Sequence, residues 1–265
     1  MVKIFPFIFI LLWSSAFITT KPIIDNSDPF SALAFRFLIV AIGFLLFSIY
    51  TKKKIAVNKK NFFESFFSGV LFHGFYLGGV FYSISKGMPT GIAALIVTLQ
   101  PILTNALSGP ILNEKVTIKQ WVGVLLGFVG AILVLGLDIG SDIPIGGLIA
   151  TVIALIAITS STIWQKKISN NLPLSVSNMY QAIGGCTFHI LVIIFFAKPY
   201  IDFSQTFIIA MSHQILLVSF GAFTILMYLI KKNSASKTVS IFFLIPATSA
   251  LMAWLFLNES LTNLD

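Results

Sequence analysis

Nine apolar runs of about twenty residues divide this chain, and a run of that length is what a helix needs to cross the hydrocarbon core of a bilayer. They lie near 3–20, 30–50, 62–85, 88–112, 120–137, 146–166, 175–196, 206–230 and 234–257. In hydrocarbon every backbone N–H and C=O must be satisfied within the protein, so spanning segments of this length are helices. The sequence therefore predicts an all-α polytopic membrane protein. Only 10% of its residues are charged and 57% are hydrophobic, against about 25% charged in a soluble domain. The first run has Lys3 and an apolar centre like a signal peptide, but it has no small-x-small cleavage site, so it reads as a helix. A net charge of +8 invites a nucleic-acid reading. The lysines lie between the apolar runs rather than on one basic face, which argues against nucleic acid and for a lipid bilayer as the partner. Cys186 is the one cysteine and sits inside an apolar run, so there is no disulfide framework. Three scattered histidines add no metal-ligand spacing, and nothing in the sequence implies a cofactor.

The runs repeat. Residues 100–114, QPILTNALSGPILNE, recur as 245–259, IPATSALMAWLFLNE, at an offset of 145. Both copies hold a proline near mid-span (Pro101, Pro246) and end Leu-Asn-Glu. The same offset carries Lys21 onto Lys166, Lys86 onto Lys231 and Arg36 onto Gln181. One offset that fits several separate stretches marks an internal repeat. Proline has no N–H and its ring clashes with the carbonyl four residues earlier. A matched pair of interrupted spans in two halves points to a carrier site near the midplane. The alternative reading of each proline is a packed kink.

A five-span repeat places its second copy upside down. The expected division is 1–140, with five spans, and 141–265, with four, an inverted-topology pair. Segment five begins near Gln120, so its counterpart would begin at residue 265. The second half thus lacks a fifth span here, a tenth helix in all. Gly123 and Gly127 in segment five form a GxxxG face for a homodimer or for that absent helix, unless they serve ordinary small-residue packing. With alternating sides, thirteen lysines fall on one side and three (Lys21, Lys86, Lys198) on the other; Arg36, within a span, completes the seventeen basic residues. The positive-inside rule then puts the N-terminus in the cytoplasm and the chain in the cell (inner) membrane.

Polar side chains within spans are costly, so their positions suggest sites. His73 is the midpoint of segment three among Gly74, Tyr76, Gly78 and Gly79. It binds substrate or carries a proton, or is held by a neighbouring helix. His189 and His213 lie off-centre and read as packed histidines. Gln100, beside Pro101, meets either a ligand or the carbonyl freed at Val97. Trp13 and Ser14 lie deep enough in segment one to face a cavity, whereas Trp164, near a helix end, has the place of an interface anchor. Arg36 lies seven residues past Pro29. It either contacts an anion or, as the favoured reading, snorkels to the interface near Asp25 or Asp28. No Asp or Glu lies at mid-depth in any run, which argues against carboxylate-based antiport and for exchange or weak coupling.

The opening WSSAF with Lys21 four residues on, then DPFSALAFRF, then the proline-to-LNE stretch in both halves resemble the drug/metabolite transporter superfamily and its EamA-type, ten-helix branch. The resemblance covers essentially the whole chain. It implies two inverted five-helix halves around a central cavity, and export or exchange of amino acids and other small metabolites. Carried onto this chain, it implies a substrate lining of Trp13, Ser14, His73, Tyr76, Gln100, Pro101, Trp164, Tyr228 and Pro246. Two other classes compete with the carrier. An intramembrane serine protease would need a nucleophile such as Ser68 or Ser108 facing a histidine. A channel or structural subunit would need a polar stripe or charged ring, and none is apparent.

Overall fold

The computed structural model describes residues 4–135 and 143–257. Seven helical stretches among the described residues are long and apolar enough to cross a membrane, Gly91–Leu112 counted across its short internal break. The chain is an all-α polytopic membrane protein. The first half runs α1 (Phe5–Asp25), α2 (Pro29–Tyr50), α3 (Lys59–Gly69), a π-helical stretch (Val70–Leu77), α4 (Gly78–Ser85), α5 (Thr90–Val97), α6 (Gln100–Leu112) and α7 (Ile118–Leu135). The second runs α8 (Ile145–Ile168), α9 (Leu174–Phe196), α10 (Gln205–His213), a second π-helical stretch (Gln214–Ala222), α11 (Phe223–Lys232), α12 (Ala235–Val239), a 3₁₀ turn (Ser240–Phe243) and α13 (Leu244–Leu257). Each of the nine predicted runs has its element to within a few residues. Two of the nine are not continuous: 88–112 is broken between α5 and α6, and 234–257 between α12 and α13.

The local sequence sets the helix starts. Asp28 caps α2 by accepting from Ser31 N at 2.8 Å, with Pro29 in the first turn where a missing N–H costs nothing. Asn58 caps α3, Ser204 caps α10 and Ser234 caps α12. Both breaks fall just before the paired prolines. Pro101 is the second residue of α6 and Pro246 the third of α13.

The offset of 145 also relates the elements. Shifted by 145, α2 covers 174–195, against α9 at Leu174–Phe196, and the first π-helical stretch covers 215–222, against Gln214–Ala222. π-turns are rare and cluster at functional sites, so a matched pair is a property of the repeat.

Lipid provides no hydrophobic drive for helix association, so packing and interhelical hydrogen bonds hold the bundle. Two buried clusters form its core. One joins Phe9 and Trp13 of α1 to Phe72, Tyr76, Phe223 and Phe242. The other packs Leu33, Phe37 and Phe44 of α2 against Met179 and Ala182 of α9 and Phe207 of α10. Helices α3 and α9 touch at their backbones. A Cβ on Gly69 would lie 2.0 Å from the Gln181 carbonyl oxygen, and one on Gly184 would lie 2.2 Å from that of Phe66. The proposed GxxxG face of α7 is divided. Gly123 meets open space, but the Phe243 ring fills the position of a Cβ on Gly127 at 2.6 Å, so Gly127 packs within this chain. The second Asn-Glu pair, 258–259, and the 140/141 boundary lie outside the described residues.

Candidate functional site

The two broken spans border one cavity. Its volume is ≈ 50 Å³, counted as space open to the centre of a water molecule, which is room for roughly four waters. Trp13 and Tyr76 form one wall, with Val80 and Ile84 of α4. Ala93, Ala94, Val97 and Thr98 form the α5 wall, and Phe242, Ile245, Pro246 and Ser249 close it from the second half. Ile84 and Ala93 flank the lysine-poor end of the bundle, by Lys86, so the cavity runs from mid-depth toward that face. Trp13 is held by ring contacts to Phe9 at 5.3 Å and Phe242 at 6.0 Å.

The polar groups of the wall have a definite character. Thr98 donates its hydroxyl proton to Ala94 O at 2.7 Å, and Ser249 donates to Ile245 O at 2.8 Å. Both oxygens therefore offer the cavity lone pairs only. Val97 and Phe242 are the residues four before the prolines, and Pro101 and Pro246 have no N–H to give their carbonyls. Among the described residues no charged side chain lines the cavity.

Of the residues nominated from sequence, Trp13, Tyr76 and Pro246 line this cavity. Ser14 stands behind its wall, buried, with Oγ donating to Ile245 O at 3.3 Å. His73 is buried away from it, its ring 4.3 Å from Phe37 and 4.5 Å from Phe223 between centroids. The Nε2–H of His189 donates to the His73 carbonyl at 2.9 Å, which fixes the ring tautomer of His189. Gln100 turns away from the Val97 carbonyl and donates to Thr162 Oγ1 at 3.0 Å. Trp164 donates to Glu64 O at 3.1 Å and packs on Phe67, and Tyr228 packs edge-on against Phe5 at 5.4 Å. Neither lines the cavity.

Arg36 corrects a favoured expectation. It does not snorkel, because it is buried and bonded inward: Nε donates to Ser219 Oγ at 2.8 Å and Nη1 to Gln214 Oε1 at 2.7 Å. Asp25 pairs instead with Lys21, and Asp28 is engaged in capping α2. The protease arrangement is absent at both serines named for it. Ser68 Oγ faces Ser161 Oγ, and Ser108 Oγ donates to Thr104 O.

The repeat accounts for part of the mismatch. Gln100 and Pro101 are the counterparts of Ile245 and Pro246, which do line the cavity. They occupy the equivalent place toward the lysine-rich face, where α6 and α12 are packed together. Gln100 and Thr104 there are 0% exposed, as are Ile158 and Val239, the counterparts of Trp13 and Ala94. Between α6 and α12, Ser236 Oγ donates to Asn105 Oδ1 at 2.5 Å, and Glu114 accepts from Ala235 N at 2.9 Å. The lining residues missed from sequence, from Val80 to Thr98, are small or aliphatic. The only signal for any of them was position four before a proline, which picks out Val97 and Phe242.

Comparison with known proteins agrees with this architecture. A solved crystal structure superposes with a TM-score of 0.82 at 17% identity, covering 98% of this chain and 89% of that one. A WAT1-related chloroplastic protein of Arabidopsis thaliana is 23% identical over 280 residues, across 100% of this chain; the chain spans 65% of that protein's length. The uncharacterized transporter YvbV of Bacillus subtilis is 22% identical over 267 residues, covering 96% of this chain and 83% of its own. A probable amino-acid metabolite efflux pump of Salmonella typhimurium is 25% identical over 165 residues, covering 62% of this chain and 53% of its own. The model of the EamA-like transporter family matches residues 3–136 and again 145–265, and the chain belongs to that family of transporters, not to an enzyme family.

Proposed function

We propose that this chain is a secondary carrier of small neutral or zwitterionic metabolites, amino acids first, working by alternating access between halves 1–140 and 141–265. The observation that carries the reading is the one-sided cavity. It is open between α5 and α13, while the counterparts of Trp13, Ala94, Ile245 and Ser249 are fully buried, with Asn105 of α6 bonded to Ser236 of α12. A carrier caught facing one side has this form. The wall chemistry, uncharged and largely apolar with a few hydrogen-bond acceptors, supports a net-neutral ligand with a donor end. Thr98, Ser249 and the proline-freed carbonyls are acceptors suited to an ammonium. Trp13, Tyr76 and Val80 would hold an apolar side chain between them. The Salmonella relative, named for amino-acid metabolites, fits the same class. With no charged group in the wall, transport runs as exchange or down a gradient rather than by carboxylate-based proton antiport. The membrane is the cell (inner) membrane, with the lysine-rich face cytoplasmic.

Thermal unfolding of the purified chain in detergent tests this against a panel of amino acids, neutral metabolites and organic anions. A ligand at a hundred times its Kd stabilises by about 2.7 kcal/mol when it binds the folded state alone. The expected result is a selective shift with zwitterions that Trp13→Ala abolishes while the unliganded protein still melts cooperatively. Shifts with anions alone would overturn the reading.

A further inference from the structure

Lys166 and Lys21 are counterparts at the offset of 145, yet they are bonded differently. Lys166 Nζ, near the end of α8, donates to Ile230 O at 3.1 Å and Asn233 O at 2.5 Å. Those carbonyls belong to the C-terminal end of α11, where a cation is favoured by the helix dipole and by the unsatisfied C=O groups. The lysine therefore ties the end of α11 to α8 at the lysine-rich face. Its counterpart at the other face has the same parts within its reach of sequence. Shifting Ile230 and Asn233 back by 145 gives Ser85 and Met88, at the C-terminal end of α4. Lys21 does not bond to them. It turns back along α1 to Asp25, 3.0 Å away, with its side chain 77% exposed.

The engaged lysine lies on the packed side of the bundle and the released one on the open side. Ile84, next to Ser85, is part of the cavity wall, while its counterpart Leu229, next to Ile230, is 3% exposed. We propose that Lys21 and Lys166 are alternating latches of the transport cycle. Each closes its own face by clamping the end of the third span onto the first, α4 onto α1 or α11 onto α8, and only one is engaged at a time. Asp25 holds Lys21 while its face is open. The proposal rests on the carrier reading above for its purpose, but the geometry it predicts is independent of any substrate.

The test is cysteine accessibility without ligand. In a Cys186→Ser background, Ala94→Cys reports the cavity wall, and Val239→Cys reports the buried counterpart on the packed side. Each is labelled with N-ethylmaleimide in the purified protein. With both lysines intact, Ala94→Cys reacts and Val239→Cys is protected. Adding Lys166→Met unlatches the packed side. Labelling at Val239→Cys then rises by about tenfold or more, the effect of losing the charge-assisted hydrogen bonds of Lys166 from a two-state balance, and that at Ala94→Cys falls by a smaller factor. Adding Lys21→Met instead moves both rates the opposite way, and Lys166→Arg restores the original pattern. Two substitutions that move both reporters in the same direction, or leave them unmoved, would overturn the latch. If Lys166→Met unfolds, the Lys21→Met and Lys166→Arg arms still decide, since a purely structural lysine gives no reciprocal change. A reciprocal labelling response without any thermal shift on the metabolite panel would retain the latch and count against the proposed substrate class.

Discussion

Arg36 is the costliest single side chain to bury among those described, and its neighbours show how the cost is met. Its guanidinium is bonded to Gln214 and Ser219 and lies 5.3 Å from the Phe37 ring centroid. Gln214 is in turn held by Ala16 O and Thr19 Oγ1, both at 2.9 Å, so the arginine joins α2 to α1 through the second π-helical stretch. At its counterpart Gln181 the same task falls to amides and a hydroxyl. Gln165 donates to Gln181 Oε1, and Gln181 Nε2 donates to Ser177 Oγ at 3.2 Å. A neutral amide thus serves at this position in the other half. Arg36→Gln should therefore fold with a loss of about 1–3 kcal/mol. Arg36→Ala should lose more, because it leaves Gln214 Oε1 buried without a donor. Thermal unfolding of the two variants in detergent ranks them. The sequence gives Arg36 its depth but not its partners, since Gln214 and Ser219 are about 180 residues away and only the packed bundle brings them to α2.

At the scale of elements, the prolines are the most legible feature. Each marks its break, and the two breaks border the cavity. Replacing Pro101 by Ala restores an N–H to the Val97 carbonyl and favours a continuous helix from α5 into α6. The expected outcome is transport reduced by about tenfold or more, on the scale of one hydrogen bond to a charged group, with the melting temperature unchanged or raised. Flux measured in liposomes beside a melt separates this from simple misfolding; a variant that transports normally would make the proline a packing kink. The π-helical stretches were not legible. A π-turn holds one residue more than an α-turn and is set by what packs against it. Here the Phe188 ring occupies the position of a Cβ on Gly74, at 2.7 Å, and His73 Cβ that of a Cβ on Gly185, at 2.4 Å. Those contacts cross between α9 and the third span, and no local pattern encodes them.

For the whole molecule, the lysine distribution and the cavity define two faces with different roles. In the proposed orientation, with the lysine-rich face cytoplasmic, the cavity opens outward. In intact cells carrying the Cys186→Ser background, an impermeant thiol reagent added outside should label Lys198→Cys and spare Lys53→Cys until the membrane is permeabilised. Both positions are exposed on the protein, so only topology separates them. The opposite pattern would reverse the assignment and make the cavity inward-facing.

Nine apolar runs, one offset and two prolines determined a helical membrane protein whose elements recur at that offset with two broken spans. Those properties are periodic or local, and bilayer thickness and the missing proline N–H translate them directly into structure. Only the tertiary structure decided which copy of each repeated feature faces space. Pro246 lines a cavity and Pro101 does not; Lys166 is bonded to the end of α11, whereas Lys21 pairs only with Asp25 of its own helix. The two halves have equivalent sequences at these points, so the sequence supports both arrangements. The choice between them is made by how α5, α6, α12 and α13 pack together, which depends on contacts between residues well over a hundred positions apart.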